Sequence, residues 1–300
     1  LGAIEGFASM ADLYSNDAKS AKEKDKELSD DGGEKSPCPV IIRDAEKVLH
    51  ERDYFGTGGF PLNISREYAS LSQSKIGSWQ IPGIFGNSWS TTLDTQIRLD
   101  YSKTEACWFV MGRGAVGDCD ASRLPIAISV IKNLKQSGFL RIISGPYSND
   151  YYPSRDPNDS ERIYKSGSTW IYENAGQSSY VFSSVGRLEK IIPYKSGKEW
   201  SLEYENNSLV EVLHSSGRKL VFNWKSSSVS GLPPVLDAIT LPNGKQVKYV
   251  IEPIGSSTKL SNRFLKEVVY PEGTGSLKYD WEPNGNIVAK YVDGVKRGDY

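Results

Sequence analysis

Past Pro37 the chain is written in short runs of alternating apolar and polar residues, broken by glycine, proline and asparagine. Alternation with a period of two is the mark of a strand with one buried face. The clearest case is 61–68, where Leu62, Ile64, Arg66 and Tyr68 share one face and Asn63, Ser65 and Glu67 the other. Strands are predicted at Val40-Ile41-Ile42, over 47–54, and through Ile97, Leu99 and Tyr101. Residues 102–165 are less regular. Pro125, Pro146, Pro153 and Pro157 interrupt them, and strands are expected at 105–111, 125–131 and 138–143.

The regular pattern returns after residue 165, and there it repeats. Trp200–Glu205 is followed by Asn206-Asn207, then by the strand-like Ser208–His214 and a turn at Gly217. Similar units close at Asn243-Gly244, Gly273 and Asp293-Gly294. The turn glycines Gly197, Gly217, Gly244, Gly273 and Gly294 lie 20, 27, 29 and 21 residues apart. A period in this range marks a repeat array, and single hairpins bury their apolar faces only by joining their neighbours. Asn-Gly and Asp-Gly suit tight hairpin turns whose central residues need positive φ. The expected fold is all-β: stacked antiparallel β-hairpin repeats forming a long twisted or spiralling sheet, with a short N-terminal helical or disordered segment. Three regions follow. Residues 1–36 form a helix or flexible linker, poor in apolar residues after Asn16. Residues 37–165 form an opening β region with an irregular middle, and residues 166–300 carry the hairpin repeats.

Composition agrees with this reading. The chain has 17 Tyr, 7 Trp, 9 Phe and 28 Gly but only 2 His, which favours pleated sheet and tight turns. A net charge of −1 without a basic run gives no nucleic-acid footprint. The longest apolar run, 124–131, falls well short of the roughly 20 residues of a membrane helix. Cys107 and Cys119 flank a glycine-containing stretch around Gly112 and Gly114. They either pair as a disulfide or remain two separate buried thiols; pairing would leave Cys38 odd.

The repeat units resemble the YD repeats of the RHS family. The resemblance rests on Leu277–Val288, which runs Leu-Lys-Tyr-Asp-Trp-Glu-Pro-Asn-Gly-Asn-Ile-Val, and on His214–Trp224. Glu46–Leu49, Asp53-Tyr54, the glycine-rich turn, Phe60–Tyr68 and Phe85–Ser90 resemble, in that order, the block that precedes the repeats in bacterial RHS proteins. The chain departs from the family in having Arg43-Asp44-Ala45 where an Ala-Thr-Gly-like turn is usual, and no unit carries a full Tyr-Asp-Xaa-Xaa-Gly-Arg. The resemblance implies a sheet ribbon that spirals into a shell around a C-terminal toxin. It also implies a secreted or bacterial cell-envelope setting. The implied partners are the remainder of a longer chain, a toxin cargo, and an assembly or immunity protein. The chain is then expected to be a piece of such a protein.

Catalytic motifs are scarce. No Gly-x-Ser-x-Gly elbow, phosphate loop or zinc spacing is present, and His50 and His214 leave little material for a triad. No cofactor, metal or catalytic residue is therefore assigned. Glu173, Glu203 and Asp280 lie near aromatics and are the carboxylates to check as a glycosidase pair. Asp156–Glu161 is an oxygen-rich loop without the pattern of an EF-hand. Arg297-Gly298-Asp299 falls where the repeat places a turn. Trp170, Tyr172, Trp200, Tyr204, Trp224, Tyr279 and Trp281 recur on the repeat strands. Such a row either packs across strands or offers a face to a glycan. Three functions remain in view: a non-catalytic scaffold or shell segment, a carbohydrate- or protein-binding module using the aromatic row, and a glycoside hydrolase on a β framework.

Overall fold

The computed structural model describes residues 40–41, 46–70, 75–76, 79–80, 83–131, 140–144, 151–153, 161–174, 178–254, 259, 262–272 and 274–299. Among them the fold is nearly all β, and its helical content is one short 3₁₀ turn, Thr92–Asp94. The second half of the chain builds one antiparallel sheet of 14 strands, from Tyr151–Pro153 to Val295–Asp299, in which spatial order is chain order throughout. Every connection is thus a hairpin. This is the long antiparallel sheet that the repeat pattern predicts, and it begins at Tyr151, ahead of residue 166. The proposed N-terminal segment 1–36, Cys38 and the turn residue Gly273 lie outside the described residues.

The opening region forms separate, smaller sheets. Val40–Ile41, Glu46–Phe55, Asn63–Ala69 and Trp89–Ser90 make a four-stranded sheet. Gln96–Asp100 pairs with Ala106–Val110 on one side and Ala127–Ile131 on the other, within a five-stranded sheet that ends at Gly114–Gly117 and Leu140–Ser144. Lys75–Ile76 and Trp79–Gln80 form a small ladder. The strands expected at 105–111, 125–131 and 138–143 correspond to those at 106–110, 127–131 and 140–144.

Turn chemistry explains the regularity of the long sheet. Asn206 and Asn207 have φ of 46° and 62°, and Asp293 and Gly294 have 53° and 77°, the two consecutive left-handed residues of a type I′ hairpin. The Pro-Asn-Gly turns differ from the expectation, because only Gly244 and Gly285 take positive φ there. These turns recur as a five-residue unit. In it the first residue's N–H reaches the fifth carbonyl, and the fourth N–H, on glycine, returns to the first carbonyl. The unit occurs at Ser183–Arg187, His214–Arg218, Leu241–Lys245 and Glu282–Asn286. The glycine supplies the left-handed position that closes the hairpin with a bulge.

One face of the long sheet is covered by the opening region. Leu220 and Phe222, Val247 and Tyr249, and Leu277 and Tyr279 point inward, while Lys219, Lys248 and Lys278 are exposed. The inward rows join Leu62, Ile64, Tyr68, Phe85, Trp89, Ile97 and Leu99 of the opening region in one hydrophobic core. An antiparallel sheet with one packed and one solvated face gives this alternation.

Candidate functional site

The most concentrated polar chemistry lies inside the seam between the two regions. Arg66 stands in the inward row Leu62, Ile64, Arg66, Tyr68, so the pleat that buries its apolar neighbours buries its guanidinium as well. Asp53 faces it from the neighbouring strand. Arg52 pairs with Ser65 and Tyr54 with Ile64, which leaves Asp53 as the extra residue of a β-bulge. A bulge re-aims a side chain, and here the residue is turned into the core. Arg66 grips Asp53 in a two-pronged pair, Nε to Oδ2 at 2.7 Å and Nη2 to Oδ1 at 3.0 Å, with both side chains wholly buried.

The long sheet completes the cluster. The Tyr249 hydroxyl donates to Asp53 Oδ2 at 3.0 Å and that of Tyr270 to Oδ1 at 2.8 Å. Arg66 Nη1 donates to the Tyr279 oxygen at 3.1 Å, and the guanidinium lies 4.5 Å from the Trp89 ring centroid, within cation–π range. Each Asp53 oxygen therefore accepts one guanidinium and one phenol hydrogen bond. Burial favours the neutral form of Arg66, but Asp53, Tyr279 and Glu51 together outweigh it and hold the guanidinium well above its ordinary value. Burial and the Asp53 charge push Tyr249 and Tyr270 upward, so both keep their protons and act as donors. Burial raises Tyr279 too, against the opposing pull of Arg66.

Further pins cross the same seam. Lys290 meets Glu51 at 2.6 Å, and Lys47 Nζ reaches the Ile287 carbonyl at 3.3 Å. The Ile287 N–H donates to the Tyr68 hydroxyl at 3.1 Å, the Asn87 N–H to the Arg263 carbonyl at 2.6 Å, and the Trp200 indole to the Phe60 carbonyl at 3.2 Å. Ile97 N–H bonds the Gly186 carbonyl at 3.1 Å. A Cβ on Gly186 would run into the Ile97 carbonyl, and φ there is +86°, so this close approach requires glycine. As a site, the cluster joins two regions. All four acceptor positions of its carboxylate are taken and water is excluded, which leaves no open position for a reacting atom.

The aromatic row falls in the core and not on an exposed binding face. Trp170, Tyr172, Trp200 and Tyr279 are buried. Tyr204, Trp224 and Trp281 are half-buried at register shifts of their strands. The Trp224 and Trp281 indoles donate to the carbonyls of Leu209 and Leu265. Tyr204 packs against Phe109, and the Arg187 guanidinium lies over both rings. Packing explains the recurrence: Trp170, Tyr172, Trp200 and Tyr279 belong to the shared hydrophobic core, and Tyr204, Trp224 and Trp281 pack against it.

The other candidates are spread out. Cys107 and Cys119 form a disulfide. Glu173 is held by Arg162 at 2.5 Å and the Tyr164 hydroxyl at 3.0 Å, Glu203 is exposed, and Asp280 accepts from Tyr291 at 2.7 Å. The strands of Glu173 and Glu203 are three steps apart in the sheet, about 14 Å at the usual interstrand spacing and beyond the roughly 5–9 Å of a glycosidase pair. His50 is exposed beside Glu67. His214 is buried, bonds Ser216, and is pulled below its ordinary pKa by burial and then by Arg218. Arg297-Gly298-Asp299 lies in the last strand, with Gly298 opposite Lys290; the turn is Asp293-Gly294, so the tripeptide is ladder, not loop. Residues 154–160, most of the oxygen-rich loop, lie outside the described residues. Among the described residues there is no group of three or more His, Cys, Asp or Glu able to hold a metal, and no helix is long and apolar enough to cross a membrane.

Sequence reasoning missed Asp53, Tyr249 and Tyr270. Arg66 did carry a signal, as a charge in an otherwise apolar row. Residues 38–117 are similar to a domain of unknown function, DUF6531. The match takes in Asp53, Arg66 and the disulfide's Cys107 and stops short of the long sheet. No curated protein matches the chain.

Proposed function

We propose that the chain is a non-catalytic β-repeat scaffold of the RHS/YD-repeat type, supplying continuous sheet to an exported or surface-displayed protein that encloses or joins a functional partner. The observation that carries this reading is the identity of strand order and chain order across 14 strands. Sheet built this way extends hairpin by hairpin without crossovers, as an array of repeats must. The filled Asp53–Arg66 cluster supports it, being suited to holding the opening region on the sheet rather than to turning over a substrate. The Cys107–Cys119 disulfide supports export, since such bonds persist in oxidising compartments. The toxin cargo and the assembly or immunity partner belong to this proposal.

Electron cryo-microscopy of the full-length gene product, together with a glycan-turnover screen, tests it. Further hairpins continuing the sheet around enclosed density are expected. Glycan turnover abolished by Glu173→Gln or Glu203→Gln would overturn the scaffold reading.

A further inference from the structure

His214 ends the strand Ser208–His214 and begins the five-residue turn His214–Arg218. It is 2% exposed. Its Nδ1 accepts the Ser216 N–H at 3.0 Å and lies 2.7 Å from the Ser216 hydroxyl. That hydroxyl accepts from Arg218 Nε at 3.1 Å, which leaves its own proton free for the ring. Nδ1 is therefore an acceptor, and the imidazole is neutral with its proton on Nε2. A second proton has to go to Nδ1, where the Ser216 N–H already points. Charging the ring thus breaks the bonds that close the turn.

Part of the opening region rests on this turn. Arg218 Nη1 donates to the Thr57 hydroxyl at 3.4 Å, and a Cβ on Gly58 would come within 3.2 Å of Arg218 Nη2. The His214 ring sits beside the Gly59 backbone. Phe60 stacks on Trp200, which stands opposite His214 in the sheet, and its carbonyl accepts the Trp200 indole at 3.2 Å. Phe60 also holds φ at +52°, a strained backbone for a bulky residue that persists only while its surroundings impose it. Arg218 links the two sides, with Nε on Ser216 and Nη1 on Thr57. The charges around the ring oppose a proton. Arg218 from the turn and Lys198 from the preceding segment act with burial against it, and the Gly59 backbone favours it. Glu199, beside Lys198, spends its carboxylate on Lys190 at 3.0 Å.

We propose that His214 is an acid-responsive latch between the long sheet and the opening region: protonation at Nδ1 opens the His214–Arg218 turn and releases the Thr57–Phe60 loop. Latched, the ring refuses a proton that a released imidazole accepts near pH 6.5. The latch is therefore whole above about pH 6.5 and weakens as pH falls below it. The ratio of latched to released protein drops by up to about tenfold per pH unit. Asp94 acts with the opposite sign: its burial raises its pKa to about 7, so its contribution is lost as pH rises. A loss on acidification cannot come from Asp94.

Hydrogen exchange of the full chain between about pH 7 and pH 5, corrected for intrinsic rates, tests the latch together with ring-nitrogen NMR of its 2 histidines. The Trp200 indole, bonded to Phe60, and the Gly217 amide, bonded to the His214 carbonyl, report the latch. The Trp281 indole, bonded to Leu265 within the long sheet, is the control. His214 should carry its proton on Nε2 alone at pH 7. Both reporters should lose protection as pH falls while Trp281 keeps its own. His214→Asn supplies an amide oxygen near the Nδ1 position without the titration and should remove the pH dependence. Should that variant fail to fold, Arg218→Gln, which removes a like charge, should move the loss to higher pH. A proton on Nδ1 at pH 7, reporters unchanged by acid, an equal loss at Trp281, or a pH dependence unaltered in whichever variant folds would overturn the proposal.

Discussion

The opening region and the long sheet bury comparable kinds of residue but are held in different ways. The long sheet is local. Each strand pairs with its sequence neighbours, six of its turns reuse two hairpin designs, and its outer face is solvated. The opening region is held by contacts that span much of the chain: Arg66 to Tyr279, Tyr270 and Tyr249 to Asp53, Lys290 to Glu51. Repeats that each leave an apolar face need a cover, and the cover needs a means of finding its register. Apolar packing is non-directional. A two-pronged ion pair with three phenol partners is directional and admits one arrangement. Buried ion pairs are weak evidence for net stability, so the cluster is better understood as fixing where the two regions meet.

The largest expected break in this comparison is at Asp53. Asp53→Asn leaves Arg66 buried without its counter-charge and should cost about 3–5 kcal/mol, read as a lower midpoint in urea unfolding. Asp53→Asn combined with Arg66→Met should recover part of that loss, because no uncompensated charge then remains. Next comes the disulfide of the opening region. Its sulfurs are 12 residues apart in sequence, and Cys107→Ser with Cys119→Ser should cost about 3 kcal/mol, as should reduction of the parent protein.

Two glycines sharpen the comparison directly. Gly186 and Gly217 have nearly equal φ, +86° and +84°, but Gly186 abuts the Ile97 carbonyl of the opening region and Gly217 faces open space. Gly186→Ala should cost about 3 kcal/mol, conformational strain plus a forced shift at the seam. Gly217→Ala should cost about 1 kcal/mol, the strain alone. Equal losses would mean that the seam is no tighter than an exposed turn.

Charge should separate the regions too. Asp94, in the opening region, accepts the Ile84 and Thr91 N–H groups at 2.9 and 2.8 Å. Burial outweighs those bonds and raises its pKa to about 7. The folded protein then keeps a proton that the unfolded chain releases near pH 4. Asp94's contribution is fully present below about pH 4 and is lost as pH rises towards 7, with a slope of at most about 1.4 kcal/mol per pH unit. Asp94→Asn should flatten stability in that window in chemical denaturation at stepped pH. The smallest effect is expected on the solvated face, where Glu203→Gln should change stability by less than about 0.5 kcal/mol.

Local order was legible in the sequence, and long-range order was not. The alternation at Leu62, Ile64, Arg66 and Tyr68 gave the strand and its inward face, and Asn206-Asn207 and Asp293-Gly294 gave their turns. The same alternation placed Arg66 inside, a contradiction that only a buried partner resolves. Asp53 could not be identified as that partner, because its inward turn depends on a bulge, and a bulge is a property of two paired strands. Tyr249, on a strand, and Tyr270, just past the end of one, look like any other tyrosine until the sheet brings them to Asp53. The aromatic row left cross-strand packing and a binding face both open for a related reason: a ring's position on a strand is local, but what covers it is not. Trp200 is covered by Phe60, whose ring centroid lies 4.6 Å away and which is 140 residues distant in sequence.

The central claim is that the Asp53–Arg66 cluster makes the opening region and the long sheet one cooperative unit. Native-state hydrogen exchange measures this most directly, by comparing amides of Asn63–Ala69 and Gln96–Asp100 with those of Gln246–Glu252 and Ser276–Trp281. The predicted result is a common opening free energy for both groups that falls together in Asp53→Asn. Separate opening of the first group, with protection of the second unchanged by the substitution, would contradict it.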